Sequence, residues 1–392
     1  MATVSSGPEY AILNDDNPNS TGFDNFSTTT EQYHARPSYE VDTAVFAAKV
    51  ISVGLIILLT VVGNTIVITI ILSNKHMRTT TYFYLANLAV ADITIALISE
   101  WTWLVNHLMK VWVFGSVMCK MSALVQGVSV HVSILTLTVV AGDRYFAILH
   151  PLKSRVIKRN AGLVIAILWT VAFLINIPLL LNMRYVDFTW SDGSETSWCY
   201  EFWVTDDGTE DKTVRAMYTT LMCILVYILP LLLMSVTYIR IGCTLKSRST
   251  HGPGVTVGST MSTQERSKRK VIKMLMVVVS IFALCWLPLH VVNLIVDWVP
   301  DVKSQDVPKE VWFLCTWMGY ANSALNPFVY CGFNENFRRG FRDAFTGRWC
   351  ANRKRLSKRK NLQWIASAKV KPNKSICSSH TDGTVVECTS ML

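Results

Sequence analysis

The stretch from Cys119 to Pro151, CKMSALVQGVSVHVSILTLTVVAGDRYFAILHP, constrains this chain more than any other. From Met121 to Gly142 it runs 22 residues without a formally charged side chain, then meets Asp143-Arg144-Tyr145. About 20 apolar residues rising ~1.5 Å each are enough to cross a hydrocarbon core of ~30 Å as a helix. The triplet then falls where water begins. Charges so placed are costly and suggest working parts; the alternative is an interfacial anchor that merely ends the helix.

The feature recurs. Val50 to Leu72, Tyr82 to Leu104, Ala161 to Leu181, Ala216 to Ile239, Met274 to Val296 and Val311 to Cys331 are comparably apolar. With 51% hydrophobic and 16% charged residues in 392, a soluble domain is excluded. The pattern predicts an all-α membrane protein: a seven-transmembrane helix bundle over 44–332, a short amphipathic helix over 333–346, and tails at 1–43 and 347–392. In that helix Phe337, Phe341 and Phe345 recur every four residues beside Arg338, Arg339 and Arg342, a pattern suited to the inner leaflet.

Charge sets the orientation. Segments 1–42, 184–215 and 297–310 hold 19 of the 27 acidic residues, while most Lys and Arg fall in the opposite loops and the C-terminal tail. The positive-inside rule puts the N-terminus outside and the tail in the cytoplasm of a plasma-membrane protein. No basic-then-apolar segment opens the chain, so no cleaved signal peptide is expected. An acidic outer face favours a cationic ligand. Cys119 and Cys199 are the cysteines at outer positions, where a disulfide between them can persist and tie the second outer loop to the third span. Asn19 and Asn25 head N-glycosylation sequons. Cys350 is a palmitoylation candidate, with a plain thiol as the alternative. The run Arg353 to Lys360 suits anionic lipid, and Ser390-Met391-Leu392 suits a PDZ groove.

Polar residues at membrane depth are few: Asn64, Asp92, Ser133, Asn322, Ser323 and Asn326. Asp92 alone in hydrocarbon would cost several kcal/mol or take up a proton. A cluster of amides and hydroxyls, with water and a small cation, would let it stay ionised and could hold two alternative hydrogen-bonded arrangements. Pro230, Pro288 and Pro327 each fall within a span and allow a bend. Cys285-Trp286-Leu287-Pro288 and Asn326-Pro327-Phe328-Val329-Tyr330 put bulky rings beside two of them, which makes hinges.

Together these residues resemble the rhodopsin-like (class A) G protein-coupled receptors. Asn64, Leu88-Ala89-Val90-Ala91-Asp92, Asp143-Arg144-Tyr145, Trp169, Pro230 with Tyr238, CWLP and NPFVY supply one signature per span over about residues 44–346. The resemblance implies a core switch of Ile134, Pro230 and Phe282 under Trp286. It implies that Arg144, Tyr238 and Tyr330, with Asp143, Tyr145, Asn326 and Pro327, rearrange to admit a heterotrimeric G protein as span six swings outward. No cofactor is expected; the resemblance implies a sodium site at Asp92, Ser133, Asn322, Ser323 and Asn326, the ion acting as an allosteric modulator, with arrestin and receptor kinases as expected partners and no nucleic acid. One departure stands out: Lys268 replaces the Glu that pairs with the DRY arginine in many members. Arg144 would then rest on Asp143 alone, which predicts basal signalling.

Gln126 replaces the Asp of amine receptors and Tyr320 the Lys of opsins, so neither class fits. Gln126, the outer acids, CKMSALVQGVSV and NENFRRGF are similar to receptors for amidated peptides, the neuropeptide FF and RFamide group first, with the neuropeptide Y, RYamide, SIFamide and orexin types as alternatives. That likeness implies Asp297 as partner of the peptide's penultimate Arg and Gln126 as partner of its amide. Thr102, Trp103, His290, Asn293, Trp312 and Thr316 would wall the cavity, and Glu201 would reach in from the bridged loop; for Trp103 and Trp312 the alternative is an interfacial belt. A transporter would show inverted repeats and an intramembrane enzyme a catalytic set such as HExxH; neither pattern is present in the sequence.

Overall fold

The computed structural model describes residues 42–77, 79–150, 160–190, 193–203, 211–251, 263–300, 302–304 and 306–346. Asn19, Asn25, Cys350, the C-terminal tail and the side chain of Lys268 lie outside the described residues.

Helices dominate. Six of them are long and apolar enough to cross a membrane: Thr43–Ser73, Thr80–Met109, Gly115–Leu149, Ala161–Asn182, Lys212–Leu245 and Arg269–Trp298. The first, α1 (Thr43–Ser73), starts where the Asp42 carboxylate accepts the backbone N–H of Ala44 at 2.8 Å and of Val45 at 3.4 Å, satisfying donors that a helix start leaves open. Its apolar side chains lie on both faces. Ile51, Leu55, Leu58 and Val62 are exposed, whereas Val53, Ile56, Thr60, Asn64 and Val67 are buried. Apolar outside with polar atoms inside is the arrangement that a lipid solvent selects.

The second span is not one regular helix. It comprises α2 (Thr80–Ile95), a π turn at Ala96–Glu100, and α3 (Trp101–Met109). The third is the unbroken α4 (Gly115–Leu149), and α5 (Ala161–Ile175) opens the fourth. The fourth span, expected over Ala161 to Leu181, runs to Asn182; its helix changes at Asn176, where Pro178 in the first turn of α6 (Ile177–Asn182) cannot extend the preceding ladder. The fifth consists of α7 (Lys212–Cys223), capped by Asp211, a π turn at Ile224–Ile228, and α8 (Leu229–His251), with Pro230 in its first turn. The longest is α9 (Thr263–Trp298), with Pro288 inside it.

A further helix, α10 (Lys309–Phe333), spans 25 residues and is less apolar, with Thr316, Asn322, Ser323 and Asn326 on its buried side. It ends at α11 (Glu335–Phe345). The first compact unit of the chain ends at Phe341, within α11. The expectation that Phe337 faces lipid is corrected: it is completely buried, 5.9 Å from the Tyr82 ring and 5.4 Å from that of Tyr330. A Cβ at Gly340 would come within 2.6 Å of Ile70, so this helix presses against α1.

The all-α expectation needs one amendment. Residues between the fourth and fifth spans form an antiparallel hairpin, β1 (Met183–Thr189) with β2 (Glu195–Glu201), in which Tyr185 faces Cys199 and Val186 faces Trp198. Phe188 packs 5.1 Å from Trp190 and 5.7 Å from Trp198, the aromatic pairing that stabilises short hairpins. The disulfide Cys119–Cys199 fastens the hairpin to the head of α4.

Inside the bundle the helices are joined by polar bonds as well as by packing. Asn87 donates to Thr136 (2.8 Å) and accepts from the indole of Trp169 (2.9 Å), linking the second, third and fourth spans. At Gly63 a Cβ would stand 2.8 Å from the rigid ring of Pro327, so α1 meets α10 with no room for a side chain. Gly63→Ala should therefore lower thermal stability by about 1–3 kcal/mol, the usual cost of overpacking. Gly54→Ala, with nothing within 4 Å, should leave the same melting transition in detergent unchanged.

Candidate functional site

Three layers follow one another down the bundle, beginning at the disulfide end. Arg215 on α7 pairs with Asp297 on α9 at 2.5 Å, and the Asp297 side chain is only 4% exposed. One residue on, the Trp298 indole donates to Thr220 at 2.7 Å, a second tie between the fifth and sixth spans. Glu201 at the end of β2 accepts from Trp203 at 2.6 Å. Lys49 reaches Glu310 at 2.9 Å and lies over the Phe313 ring, tying α1 to α10. On the hairpin, Ser197 and Tyr185 both hydrogen bond to the exposed Asp187 and hold its carboxyl below the usual carboxylate range.

Beneath the rim is an aromatic layer. Trp103 stacks on Phe313 and meets Tyr320 edge-on, both at 5.3 Å, and is largely buried, so it is a bundle residue and not part of a lipid-facing belt. Trp312 is half-buried and donates its indole N–H to the Ser304 carbonyl at 3.2 Å. The Tyr320 hydroxyl donates to Gln126 at 3.1 Å, joining α10 to α4. Gln126 also lines a small cavity with His131, Asn176, Tyr218, Met222 and Trp286. Beside that cavity His131 and Asn176 are hydrogen bonded at 2.7 Å, and the His290 ring lies 4.3 Å from that of Tyr227. Among the described residues no hydrogen-bond partner reaches His290 Nδ1, Asn293 Nδ2 or Trp286 Nε1; of these three residues, Trp286 lines the cavity. Thr102 and Thr316 are less available: each donates its hydroxyl to its own helix, at 3.0 and 2.9 Å.

At mid-depth, Asp92 accepts from Asn326 at 2.9 Å and from Ser323, while Asn64 donates to the Ser323 carbonyl at 3.1 Å. Three of the five expected sodium ligands therefore meet directly. Ser133 donates to Ser129 of its own helix at 2.9 Å, and the buried oxygen of Asn322 has no donor among the described residues. A buried carboxylate with an unused amide oxygen nearby fits a small hard cation. Just above, Phe282 lies 6.2 Å from Trp286 within the same core as Ile134, and Pro230 is buried.

At the foot of α4, Arg144 pairs with Asp143 at 2.5 Å. The expectation that Asp143 alone holds it is corrected. Thr81 on α2 donates to Asp143 at 2.8 Å and accepts from the Arg144 guanidinium, so the charge is closed by a three-residue ring between two spans. Tyr145 is half-buried beside Phe146. Tyr238 is buried within electrostatic range of Arg144, and the Tyr330 hydroxyl has no partner among the described residues.

Sequence reasoning gave no role to Arg215, Thr81 or Glu100. Glu100 stands out as a charge near the outer end of the second span; nothing in spacing marked the other two.

Residues 63–330 match the family described as 7 transmembrane receptor (rhodopsin family). Neuropeptide FF receptor 2 of Rattus norvegicus is 36% identical over 313 residues, covering 77% of this chain and 73% of that protein. Neuropeptide FF receptor 1 of Homo sapiens is 35% identical over 324 residues, 80% and 73% respectively. The neuromedin-K receptor of Rattus norvegicus is 36% identical over 297 residues, 76% and 62%. The chain belongs to the rhodopsin family of seven-transmembrane receptors; it is a multi-pass membrane receptor that couples to G proteins and is not an enzyme.

Arg215→Gln should lower thermal stability by about 1–3 kcal/mol, because it strands a buried carboxylate. Arg215→Gln with Asp297→Asn should recover most of that loss, as read from the detergent melting midpoint.

Proposed function

We propose that this receptor is activated by an amidated neuropeptide of the RFamide or neuropeptide FF type and activates a heterotrimeric G protein by outward movement of the sixth span. The likeness to two receptors named for neuropeptide FF supports the ligand class. The observation that carries the site is the buried Asp297 already holding a guanidinium, that of Arg215. A carboxylate that accepts one arginine side chain can accept another. The peptide's penultimate Arg displaces Arg215, and its amide lies against Gln126 beneath Trp103, His290, Asn293, Trp312, Thr102 and Thr316, with Glu201 at the entrance.

The orientation follows. The disulfide end and the glycosylated N-terminus face the outside of the plasma membrane, and the Arg144 end and the tail face the cytoplasm, as the positive-inside rule requires. Helix α10 is the seventh span; its polar side is tolerated because it faces the bundle. The exposed Arg338 and Arg339 and the end of α11 lie along the inner leaflet, with Cys350 as the lipid anchor beyond. The phosphorylatable tail serves receptor kinases and arrestin, and its last residues a PDZ domain.

Transmission is a two-state equilibrium shifted by differential binding. At rest the ring of Thr81, Asp143 and Arg144 occupies the arginine, while Asp92, with Ser323, Asn326, Asn322 and Ser133, would hold a sodium ion, whose charge would neutralise the buried carboxylate. Replacing Arg215 at Asp297 loosens the fifth span from the sixth, Trp286 and Phe282 shift around Pro288, and Tyr238 and Tyr330 meet the freed Arg144.

Two measurements test this. Asp297→Ala should reduce the potency of an Arg-Phe-amide peptide by ~10- to 100-fold; a change below threefold would exclude the pairing. Thr81→Val opens the ring and should raise ligand-independent GTP exchange above that of the unaltered receptor at equal surface expression.

A further inference from the structure

Asn176 stands at the junction of α5 and α6, and its side chain is turned onto α4. The approach is close: a Cβ at Gly127 would come within 2.1 Å of Asn176 Oδ1, so a glycine is what admits the amide. The amide nitrogen, Nδ2, lies 2.7 Å from the Ala172 carbonyl oxygen and 2.7 Å from His131 Nδ1. A carbonyl oxygen only accepts, which fixes the amide's orientation: the nitrogen donates one hydrogen to Ala172 and the other to His131. His131 Nδ1 must therefore offer a lone pair, and the ring hydrogen sits on Nε2. The break in the fourth span thus sets the tautomer of a histidine on the third.

His131 is 5% exposed, and among the described residues its ring makes no hydrogen bond besides the one to Asn176. It lines the small cavity together with Met222 on α7 and Trp286 on α9. Trp286 is 4% exposed, and no described residue accepts from its Nε1. A Cβ on Gly319 of α10 would meet Cε3, Cζ3 and Cη2 of that indole at 3.2–3.3 Å. The benzo edge therefore lies against α10, and the edge that carries Nε1 is on the other side, where α4 and α7 line the cavity. Two N–H groups without acceptors thus border one small space. An indole nitrogen can only donate, and Asn176 keeps His131 Nε2 a donor, so the space suits an acceptor and refuses an ammonium. Its volume of about 20 Å³ has room for a single oxygen-sized group.

We propose that His131 and Trp286 bind the carbonyl oxygen of the peptide's C-terminal carboxamide, with Asn176 as the positioning residue that keeps His131 a donor. This rests on the reading that the ligand is an amidated peptide whose terminus lies at Gln126, a residue of the same cavity, and the test separates the two. GTP exchange is measured for a peptide ending in Arg-Phe-amide and for its analogue ending in Arg-phenethylamide, which keeps the aromatic ring and lacks the carboxamide. Both are applied to the full-length receptor, to His131→Phe and to Asn176→Asp, with surface expression measured alongside. On the unaltered receptor the amide should exceed the phenethylamide by roughly 10- to 100-fold. His131→Phe keeps a flat ring without a donor. It should weaken the amide by roughly tenfold and leave the phenethylamide within about threefold, the non-additivity of groups in contact. Asn176→Asp puts an acceptor where the amide nitrogen was, moves the ring hydrogen to Nδ1 and should reproduce that pattern. Equal losses for the two peptides in His131→Phe overturn the proposal, as does an unchanged amide potency in either variant. So does a phenethylamide as potent as the amide on the unaltered receptor, a result that holds even if neither variant reaches the surface. Asp297→Ala should weaken both peptides alike, because both carry the arginine; that outcome upholds the peptide reading whatever becomes of His131. Silence of the unaltered receptor toward every amidated peptide overturns the peptide reading itself, and the role of His131 with it.

Discussion

A carboxylate in the middle of a membrane has no water to turn to, and the rest of this bundle is arranged around that fact. Lipid supplies neither donors nor acceptors, so each polar atom at depth must find its partner within the protein. Asp92 finds Asn326 and Ser323 on α10, and Asn64 reaches the Ser323 backbone from α1. These bonds tie α10 to the first and second spans. They also explain the glycine at position 63: bonds this short across α1 and α10 require backbones that nearly touch, and only a residue without a side chain lets Pro327 approach.

The same requirement divides the receptor into a ligand end and a foot that use arginine in parallel ways. At one end Arg215 is held by Asp297 across the fifth and sixth spans; at the other Arg144 is held by Asp143 and Thr81 across the second and third. The first joins two helices directly; in the second Asp143 and Arg144 share α4, and Thr81 makes the link to α2. Interactions of that kind favour two discrete arrangements over a continuum. The cavity at Gln126 and Trp286 lies between them, where unused polar atoms give a ligand something to hold.

Much of this could be read from the chain. Long uncharged stretches located the spans, because crossing hydrocarbon imposes length and composition together. Asp92 and Asn326 were recognisable as partners because a buried acid demands donors and few were available. Cys119 and Cys199 were the cysteines at outer positions, and they pair. What escaped was mostly phase and competition. The π turns at Ala96–Glu100 and Ile224–Ile228 shift which residues face inward without leaving a periodic trace. Phe337 belongs to an amphipathic repeat, yet its ring is covered by Tyr82 and Tyr330, which only the fold brings near. Thr81 and Arg215 are ordinary residues by sequence; they matter because charged side chains stand across a helix gap from them.

The two ties at the upper end of α9 have a mechanical meaning. Asp297 and Trp298 fasten that end to the fifth span, while Pro288 interrupts the helix ten residues below its top. The arm above the proline is about 15 Å long; the arm below, down to Thr263, is about 37 Å at ~1.5 Å per residue. A helix pivoting at such a point is an unequal lever. A displacement of about 1 Å at the Trp298 end becomes about 2.5 Å at the Thr263 end if both arms stay rigid, so a small shift beside Asp297 is geometrically amplified before any other residue takes part.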